Sequence, residues 1–365
     1  MNITKEQPKH RFQVLDIFRG IFASLIVFFH MSGFTDTTIL NNDFIRNSDI
    51  FVDFFFVLSG FVICYAYQNI ETATDVSSFI KKRLQRIYPL HFAILIAFLL
   101  AELIKSTLAS YIHINNSLQN TPLTFVTNLF LINSIAIPGV KSFSWNSVSW
   151  SISAELIAYI VFAIICFLLT AYKLSGIKGL VYTIVAVASF LLMYVLTGNF
   201  DLVHTFDFGF LRSLVGFFTG TVCFYTFKYW HKPIKEISDE VFTIMETVII
   251  IVLVIAITFG RDFTSFGLLY ELLFFISILI FAFEKGVVSK YLSTINVLKN
   301  VGKYSYSIYM VHTLIISLFN VIFIRLLKFP ISSYAYLFII NYIVIYYVSR
   351  WCYYNIELRF QHKKV

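Results

Sequence analysis

Long runs of apolar residues constrain this chain more than any other feature of its sequence. A helix needs about 20 mainly apolar residues to cross the hydrocarbon core of a bilayer. Ten runs of roughly that length predict an all-α, polytopic membrane bundle. An eleventh run, 123–137, is short and predicts a re-entrant or interfacial helix. The ten predicted spans are 14–33, 50–68, 88–110, 150–172, 178–197, 207–229, 241–259, 264–283, 304–325 and 331–353.

The positions of the basic residues predict how these spans are oriented. Lys and Arg concentrate in the cytoplasmic loops of membrane proteins. With the N-terminus inside, ten crossings place 20 of the 28 Lys and Arg residues on the cytoplasmic side and six outside. Both termini are therefore predicted to be cytoplasmic, and the net charge of +8 reflects topology instead of nucleic-acid binding. The six outer residues are Arg46, Lys105, Lys141, Arg261, Arg325 and Lys328.

The composition predicts a single membrane domain over residues 1–365. Only 13% of the residues are charged, whereas soluble domains average about 25%. The first span carries Asp16 and Arg19 and lacks a small-residue cleavage site, so it does not resemble a signal peptide. The cysteines lie far apart in apolar runs, which predicts buried thiols and no metal site. They are Cys64, Cys166, Cys223 and Cys352.

Two ionisable residues in the first span, Arg19 and His30, are candidates for function. A charged group at the centre of a span costs roughly 2.5–3.5 kcal/mol on insertion scales. The eleven-residue spacing leaves the two side chains about 20° apart on one helix face and about 16 Å apart along the axis. Arg19 is then nearer the cytoplasm and His30 nearer the outer surface. Alternatively, Arg19 extends to the interface and His30 is an ordinary interfacial residue.

Two carboxylates are predicted at the depth of His30. Asp53 opens the second span and Glu155 opens the fourth, and both spans run from outside to inside. A carboxylate beside an imidazole fixes its tautomer and raises its basicity. We therefore expect an acid–base site in which Asp53 or Glu155 assists His30. Either carboxylate alone would more often be a structural hydrogen-bonding group.

A basic segment, residues 81–86, precedes the third span at the cytoplasmic side. Arg83 and Arg86 are three residues apart, so they share a face if the segment is helical. Forked guanidinium groups suit phosphate recognition, although a basic cluster here can also bind lipid headgroups. With Arg19 and His30 above it, the segment suggests a ligand with a phosphorylated end and a long thin arm. Coenzyme A has that shape.

The sequence resembles the acyltransferase-3 family of bacterial membrane proteins, which O-acylate cell-surface glycans. The resemblance runs from residue 15 to residue 357 and rests on an ordered set of motifs. These are Leu15-Asp-x-Phe-Arg-Gly with Arg19-x10-His30; Phe54-Phe-Phe-Val-Leu-Ser-Gly-Phe61; Arg83-Leu-Gln-Arg86-Ile-Tyr-Pro89; Ser147-Val-Ser-Trp-Ser-Ile-Ser-Ala-Glu155; Gly302-Lys-Tyr-Ser-Tyr-Ser-Ile-Tyr-Met-Val-His312; and Tyr354-Asn-Ile-Glu357.

The resemblance implies a ten-helix acyltransferase domain in the bacterial plasma membrane. Acyl-coenzyme A, most commonly acetyl-coenzyme A, would be the cytoplasmic donor, and a cell-surface or lipid-linked glycan would be the acceptor. It also implies that Arg19, His30, Arg83 and Arg86 serve activity, with the arginines binding the donor. His312 lies in the ninth-span motif and is as consistent with packing as with a site. Because the chain ends at Val365, we expect no C-terminal esterase-like domain.

Two other classes of protein are consistent with parts of this pattern. A transporter or flippase of a lipid-linked glycan would also carry charges inside its spans. It would more often show paired broken helices from inverted repeats, and the sequence has no corresponding Gly or Pro interruptions. A sensor or scaffold would leave the cost of burying Arg19 near His30 unexplained. The phosphate-type arginines at one face and the acid–base residues at the other favour the enzyme.

Overall fold

The structure, a computed structural model, consists of α-helices joined by short loops. It describes residues 11–35, 37–108, 119–260, 262 and 267–361, and no strand occurs among them. Both termini lie outside this part, and so do Lys5, Lys9, Arg261, Lys363 and Lys364, which the topology prediction used. The helices are α1 Gln13–Ser32, α2 Asp43–Arg46, α3 Phe51–Ala66, α4 Ala73–Leu108, α5 Pro122–Leu129, α6 Ser149–Ala171, α7 Lys178–Thr197, α8 Gly209–Trp230, α9 Asp239–Thr258, α10 Gly267–Phe281, α11 Val287–Leu292, α12 Asn296–Asn320, α13 Tyr334–Cys352 and α14 Leu358–Gln361.

Each of the ten predicted spans corresponds to a helix of the bundle. Nine helical segments in the described ranges are long and apolar enough to cross a membrane. The eighth predicted span appears as α10, which has 15 residues in the described part of the chain. Apolar side chains on the outer helices face outward; Val195 of α7 and Ile244 of α9 are 75% and 63% exposed. The chain is therefore a multi-pass membrane protein of the all-α class, as predicted.

The eleventh apolar run forms only the short helix α5. Eight residues rise about 12 Å, which is far less than the hydrocarbon core requires. Thr121 begins the helix with a capping box, in which its side chain accepts from the Thr124 N–H and the Thr124 hydroxyl accepts from the Thr121 N–H. The helix ends at Leu129, and Leu131 follows with a positive φ of 52°. This agrees with the prediction of a short element that does not cross the membrane.

Helix α4 is the longest element of the fold. Its 36 residues correspond to about 54 Å, which exceeds the roughly 30 Å hydrocarbon core. The predicted span began at residue 88, whereas α4 begins at Ala73. Arg83 and Arg86 therefore lie on a continuous helix, as their proposed shared face requires. We call the end of the bundle that holds Ala73 the inner end, because the charge distribution predicts it to be cytoplasmic.

Close backbone contact between α1 and α12 organises the centre of the bundle. A Cβ atom added at Gly20 would lie 2.4 Å from the Gly302 nitrogen, and one added at Gly302 would lie 2.4 Å from the Asp16 carbonyl oxygen. Helices α3 and α8 meet in the same way, where Gly60 lies against Phe217 and Gly220 against Val57. Small residues permit such approaches between membrane helices. The two glycine contacts pair α1 with α12 and α3 with α8.

Candidate active site

Two adjoining cavities run from the inner end into the bundle. The first, which we call the inner vestibule, is lined by Arg11, Asp16, Lys303, Tyr353 and Glu357 among others. The second, the central cleft, is a partly enclosed cavity lined by residues of α1, α3, α4, α6 and α12. The cavities share a part of their walls, so they adjoin. The shared residues are Arg19, Leu58, Val62, Arg86, Ser305 and Tyr306.

Arg19 is held in place where the two cavities meet. Its Nη2 atom lies 3.0 Å from the Asp16 carboxylate one turn earlier on α1. Its Nε atom donates to the Ser305 hydroxyl of α12 at 2.9 Å. The guanidinium therefore joins α1 to α12 at the level of the Gly20–Gly302 contact. This ion pair and hydrogen bond offset part of the cost of placing an arginine inside the bundle.

Arg83 and Arg86 of α4 both face the central cleft. Arg83 donates to the Tyr67 hydroxyl at 3.3 Å, and its guanidinium lies over the Tyr67 and Phe79 rings. Arg86 lines both cavities. It makes no hydrogen bond or ion pair with any residue in the described part of the chain. An unpaired guanidinium at the junction of two cavities is available to bind an anionic group.

Glu155 lies in the same cleft as the three arginines, on α6. Its Oε1 atom accepts hydrogen bonds from the Ser59 hydroxyl and the Tyr159 hydroxyl, each at 2.6 Å. The hydroxyl oxygens of Ser59 and Tyr159 are also within 3.1 Å of each other. The three side chains form a compact polar cluster in a wall that is otherwise largely apolar.

A pair of histidines lies beyond the outer end of the central cleft. Tyr309 lines the cleft and shares a 2.8 Å hydrogen bond with Ser151. The Tyr309 ring lies 5.8 Å from the ring of the fully buried His312. His312 in turn places its Nε2 atom 3.3 Å from the Nδ1 atom of His30. A chain of side-chain contacts thus connects the outer end of the central cleft to His30.

The backbone contacts of the two rings favour one arrangement of their protons. Nδ1 of His312 lies 3.2 Å from the Ile308 carbonyl, and Nδ1 of His30 lies 2.9 Å from the Ile26 carbonyl. A carbonyl oxygen can only accept, so both Nδ1 atoms carry hydrogen when these bonds form. The single Nδ1–H of His30 is then shared between the Ile26 carbonyl and, at the longer distance of 3.3 Å, Nε2 of His312, and Nε2 of His30 keeps a free lone pair. This tautomer, assigned from the hydrogen-bond network, leaves His30 able to accept a proton.

Asn146 anchors His312 from the loop that precedes α6. Its Nδ2 atom donates to the Met310 carbonyl at 3.0 Å, and its Oδ1 atom accepts from the Thr313 hydroxyl at 2.7 Å. Asn146 is almost fully buried, and its two contacts flank His312 on α12. This residue was not among the predicted site residues, although it directly precedes the Ser147–Glu155 motif. A buried amide that satisfies a helix carbonyl has no signature in a single sequence.

Neither predicted carboxylate is in hydrogen-bond contact with His30. Asp53 instead receives two bonds from Arg212 of α8, at 2.7 and 2.8 Å, and both side chains are buried. The Arg212 guanidinium also lies over the Trp150 ring, 5.3 Å from its centroid. Glu155 faces the cleft and bonds to Ser59 and Tyr159. The predicted contact between His30 and a carboxylate is therefore wrong. Asp53 bonds to the buried Arg212 instead, and the side chain beside His30 is His312.

The sequence-predicted residues thus fall into three groups. Arg19, Arg83, Arg86 and Glu155 share the central cleft. His30 lies beyond its outer end, and Asp53 belongs to a separate buried ion pair. All four cysteines are free and buried, as predicted. Within the described residues, no group of three or more His, Cys, Asp or Glu side chains is arranged to hold a metal ion.

Comparison with known proteins identifies the family. A family profile described as an acyltransferase domain matches residues 12–350. The chain belongs to this family, the acyltransferase-3 family. The matched residues include all those that line the central cleft, from Arg19 to Tyr309. Four residues of the inner vestibule lie just outside the match, Arg11 before it and Tyr353, Glu357 and Gln361 after it.

Two curated proteins are similar to parts of the chain. Acyltransferase MdmB from Streptomyces mycarofaciens is 33% identical over 113 residues, which is 31% of this chain and 27% of that protein. A protein named "Protein 2 in picA locus" from Rhizobium radiobacter is 36% identical over 88 residues, 24% of this chain and 43% of that protein. The chain thus spans less than half the length of each of these relatives. No solved structure matches it significantly.

Proposed function

We propose that the protein is a membrane O-acyltransferase that uses acyl-coenzyme A, acetyl-coenzyme A in particular, as its donor. The acceptor would be a hydroxyl group of a cell-surface or lipid-linked glycan. The observation that carries this proposal is the unpaired guanidinium of Arg86 at the junction of the inner vestibule and the central cleft. Family membership supports the acyl transfer, and the path between the cavities supports a long, phosphorylated donor.

The donor would enter from the inner end with its thioester leading, so that its phosphates remain near that end. Arg86 would bind the pyrophosphate, because forked guanidinium groups form paired, charge-assisted bonds with phosphate. Arg83 and Arg19 would line the start of the pantetheine arm. The polar cluster of Glu155, Ser59 and Tyr159 offers partners to the amides of that arm. In this proposal Glu155 serves donor binding instead of proton transfer.

His30 would act as the general base at the far end of the arm. The acceptor hydroxyl oxygen attacks the thioester carbonyl while Nε2 of His30 takes its proton. The carbon–sulfur bond then breaks, the acyl group stays on the oxygen as an ester, and the coenzyme A thiolate recovers the proton. Nε2 of His312 would accept a hydrogen bond from Nδ1–H of His30. This bond would help to orient His30 and would stabilise the imidazolium that forms when His30 takes the proton. General-base assistance of this kind contributes about 10²–10⁴-fold to rate.

Asp53 is better suited to a structural role in this proposal. Its two oxygens already accept hydrogen bonds from the buried Arg212, so both are occupied and neither bonds to His30. The pair also holds α3 to α8, beside the Trp150 ring of α6. Asp53 would therefore support the walls of the site without touching the reacting atoms.

Donor binding is tested first with purified, detergent-solubilised protein. Acetyl-coenzyme A at 100 times its dissociation constant should stabilise the wild type by about 2.7 kcal/mol, measured as a thermal shift. Arg86→Ala should lose most of this shift. Lys82→Ala is the matched control, because Lys82 is an exposed basic residue of the same segment that lines neither cavity. A folded wild type with no shift would overturn coenzyme A as donor, and an unchanged Arg86→Ala would overturn its role.

Transfer is tested separately in membranes supplied with acetyl-labelled coenzyme A. We expect label in the glycan fraction that mild alkali releases, as an O-ester requires, and its loss in His30→Ala. Acetyl-coenzyme A binding by His30→Ala should stay at the wild-type level. Full transfer by His30→Ala would eliminate every mechanism centred on His30 while leaving the donor site intact.

A further inference from the structure

The inner vestibule carries more positive charge than its own carboxylates neutralise. Four cationic side chains line it against two carboxylates, Asp16 and Glu357. Asp16 is already engaged by Arg11 at 2.6 Å and by Arg19 at 3.0 Å. Glu357 accepts a hydrogen bond from Ser307. The remaining cations, Lys303 and Arg86, have no ion-pair partner among the residues that the structure describes.

Lys303 is held at the wall of the vestibule by tyrosines. Its ammonium nitrogen lies 4.8 Å from the ring centroid of Tyr354 and 5.0 Å from that of Tyr353. It also donates to the Tyr354 hydroxyl at 3.0 Å. Cation–π contacts orient an ammonium group without neutralising its charge. The Lys303 ammonium group is therefore fixed in position and keeps its charge. Its one hydrogen bond uses a single proton of three, so two remain to bind a ligand.

The chain is locally rewound where these tyrosines occur. Residues Tyr353–Glu357 form a π-helical turn between α13 and α14. Such turns are rare overall, and those that occur are often found at functional sites. The extra residue changes the direction of the neighbouring side chains. Here Tyr353 and Glu357 both line the vestibule beside Lys303. The turn thus helps to build this wall.

The two unpaired cations lie in a defined order along the path. Arg86 lines both cavities, whereas Lys303 lines only the vestibule, nine residues before His312 on α12. Coenzyme A has the same order of groups, with the thioester at one end, the pyrophosphate next and the ribose 3′-phosphate farthest away. With the thioester toward His30 and the pyrophosphate at Arg86, the 3′-phosphate falls in the vestibule.

We propose that Lys303 binds the ribose 3′-phosphate of the donor and makes the protein select coenzyme A over its 3′-dephospho form. This inference rests on the proposed function, in which acyl-coenzyme A is the donor. It adds a specificity-determining contact at the mouth of the site. A lipid phosphate could offer Lys303 the same chemistry, because the residue lies at the inner end of a membrane helix.

The test compares two ligands and two proteins. Affinities for acetyl-coenzyme A and acetyl-3′-dephospho-coenzyme A are measured by calorimetry in nanodiscs of neutral phosphatidylcholine. A charge-assisted contact of this kind corresponds to about a tenfold preference of the wild type for the 3′-phosphorylated ligand. Lys303→Ala should lower affinity for acetyl-coenzyme A by about the same factor and leave affinity for the dephospho ligand unchanged. Lys303→Arg should keep most of the preference.

Lys299→Ala is the matched control, because Lys299 precedes Lys303 by one turn of α12 and lines neither cavity. It should keep the wild-type preference.

Equal binding of the two ligands by the wild type would overturn the subsite while leaving the donor proposal in place. Equal weakening of both ligands by Lys303→Ala would also overturn it. A preference that appears only when anionic lipid is omitted from otherwise identical nanodiscs would assign Lys303 to a lipid headgroup. A folded wild type that binds neither ligand would overturn the donor proposal itself.

Discussion

Substitution of Gly302 by Ala tests whether the contact of α1 with α12 sets the position of the histidine pair. The new Cβ would lie 2.4 Å from the Asp16 carbonyl oxygen, and ordinary contact begins at 3.4 Å. Because the obstacle is backbone, the helices must separate by about 1 Å. Overpacking of this kind costs about 1–3 kcal/mol of stability.

The same separation should break the contact between the histidines. Gly20 precedes His30 by ten residues and Gly302 precedes His312 by ten, so both pairs lie on the same two helices. A parallel displacement of about 1 Å would lengthen the 3.3 Å contact between His312 and His30 to about 4.3 Å, beyond hydrogen-bonding distance. His30 would lose its contact across the helices and keep only the Ile26 carbonyl of its own helix as an acceptor. Misplacement by 1 Å can lower a catalytic rate about 100-fold.

The assay measures kcat for acetyl transfer, acetyl-coenzyme A affinity and thermal stability on the same preparations. We expect Gly302→Ala to lower kcat about 100-fold and affinity by no more than about tenfold, because Arg86 stays in place on α4 while Arg19 and Lys303 move with α1 and α12. Gly20→Ala should behave alike, since its Cβ would meet Gly302 from the opposite side. Gly176→Ala is the neutral control, because nothing lies within 4 Å of the added atom. Wild-type kcat in both Gly302→Ala and Gly20→Ala would refute this reasoning.

Two further substitutions separate catalysis from support. His312→Ala removes one of the two acceptors for Nδ1–H of His30 and leaves the Ile26 carbonyl, so kcat should fall by about 10-fold while donor affinity is kept; a rate equal to wild type would show that the Ile26 carbonyl alone orients His30. Asp53→Asn removes the carboxylate that bonds to the buried Arg212, although Glu271 also acts on that guanidinium, so denaturant unfolding should show a loss of about 3 kcal/mol. Transfer per folded molecule should be largely retained in Asp53→Asn, and its abolition in folded protein would restore Asp53 as a catalytic candidate.

The sequence was sufficient for the architecture because membrane insertion imposes a simple rule on composition. Each span must form the hydrogen bonds of its backbone within its own helix and present apolar side chains to lipid. Each of the ten apolar runs therefore predicts a helix by itself. The least accurate boundary was the start of α4, at Ala73 instead of residue 88. Its first turns project beyond the hydrocarbon core and are amphiphilic, so hydropathy alone does not detect them.

The site was only partly predictable for a related reason. Depth along a helix can be deduced from residue number, which placed Arg19 below His30 and grouped Arg83 with Arg86. Rotation and neighbours cannot be deduced from a single sequence. Asp53 and Glu155 start their helices at similar levels, yet Asp53 is bonded to Arg212 of α8 and Glu155 to Ser59 of α3. These partners are 159 and 96 positions apart along the chain, so only the packing of the helices brings them together.

In the proposed function, helices α1 and α12 together would set the length of the donor arm. They are joined at the inner level by Arg19 and Ser305 and at the outer level by His30 and His312. On α1 these levels are separated by eleven residues, or about 16 Å. A rigid helix cannot shorten this distance, and the glycine contact prevents the two helices from tilting apart. A ligand held by its phosphates at the inner level can therefore bring a reactive group to the histidines only if its arm matches that separation. A shorter donor such as acetyl phosphate would leave one of the two levels unoccupied, and we expect it to bind without supporting transfer.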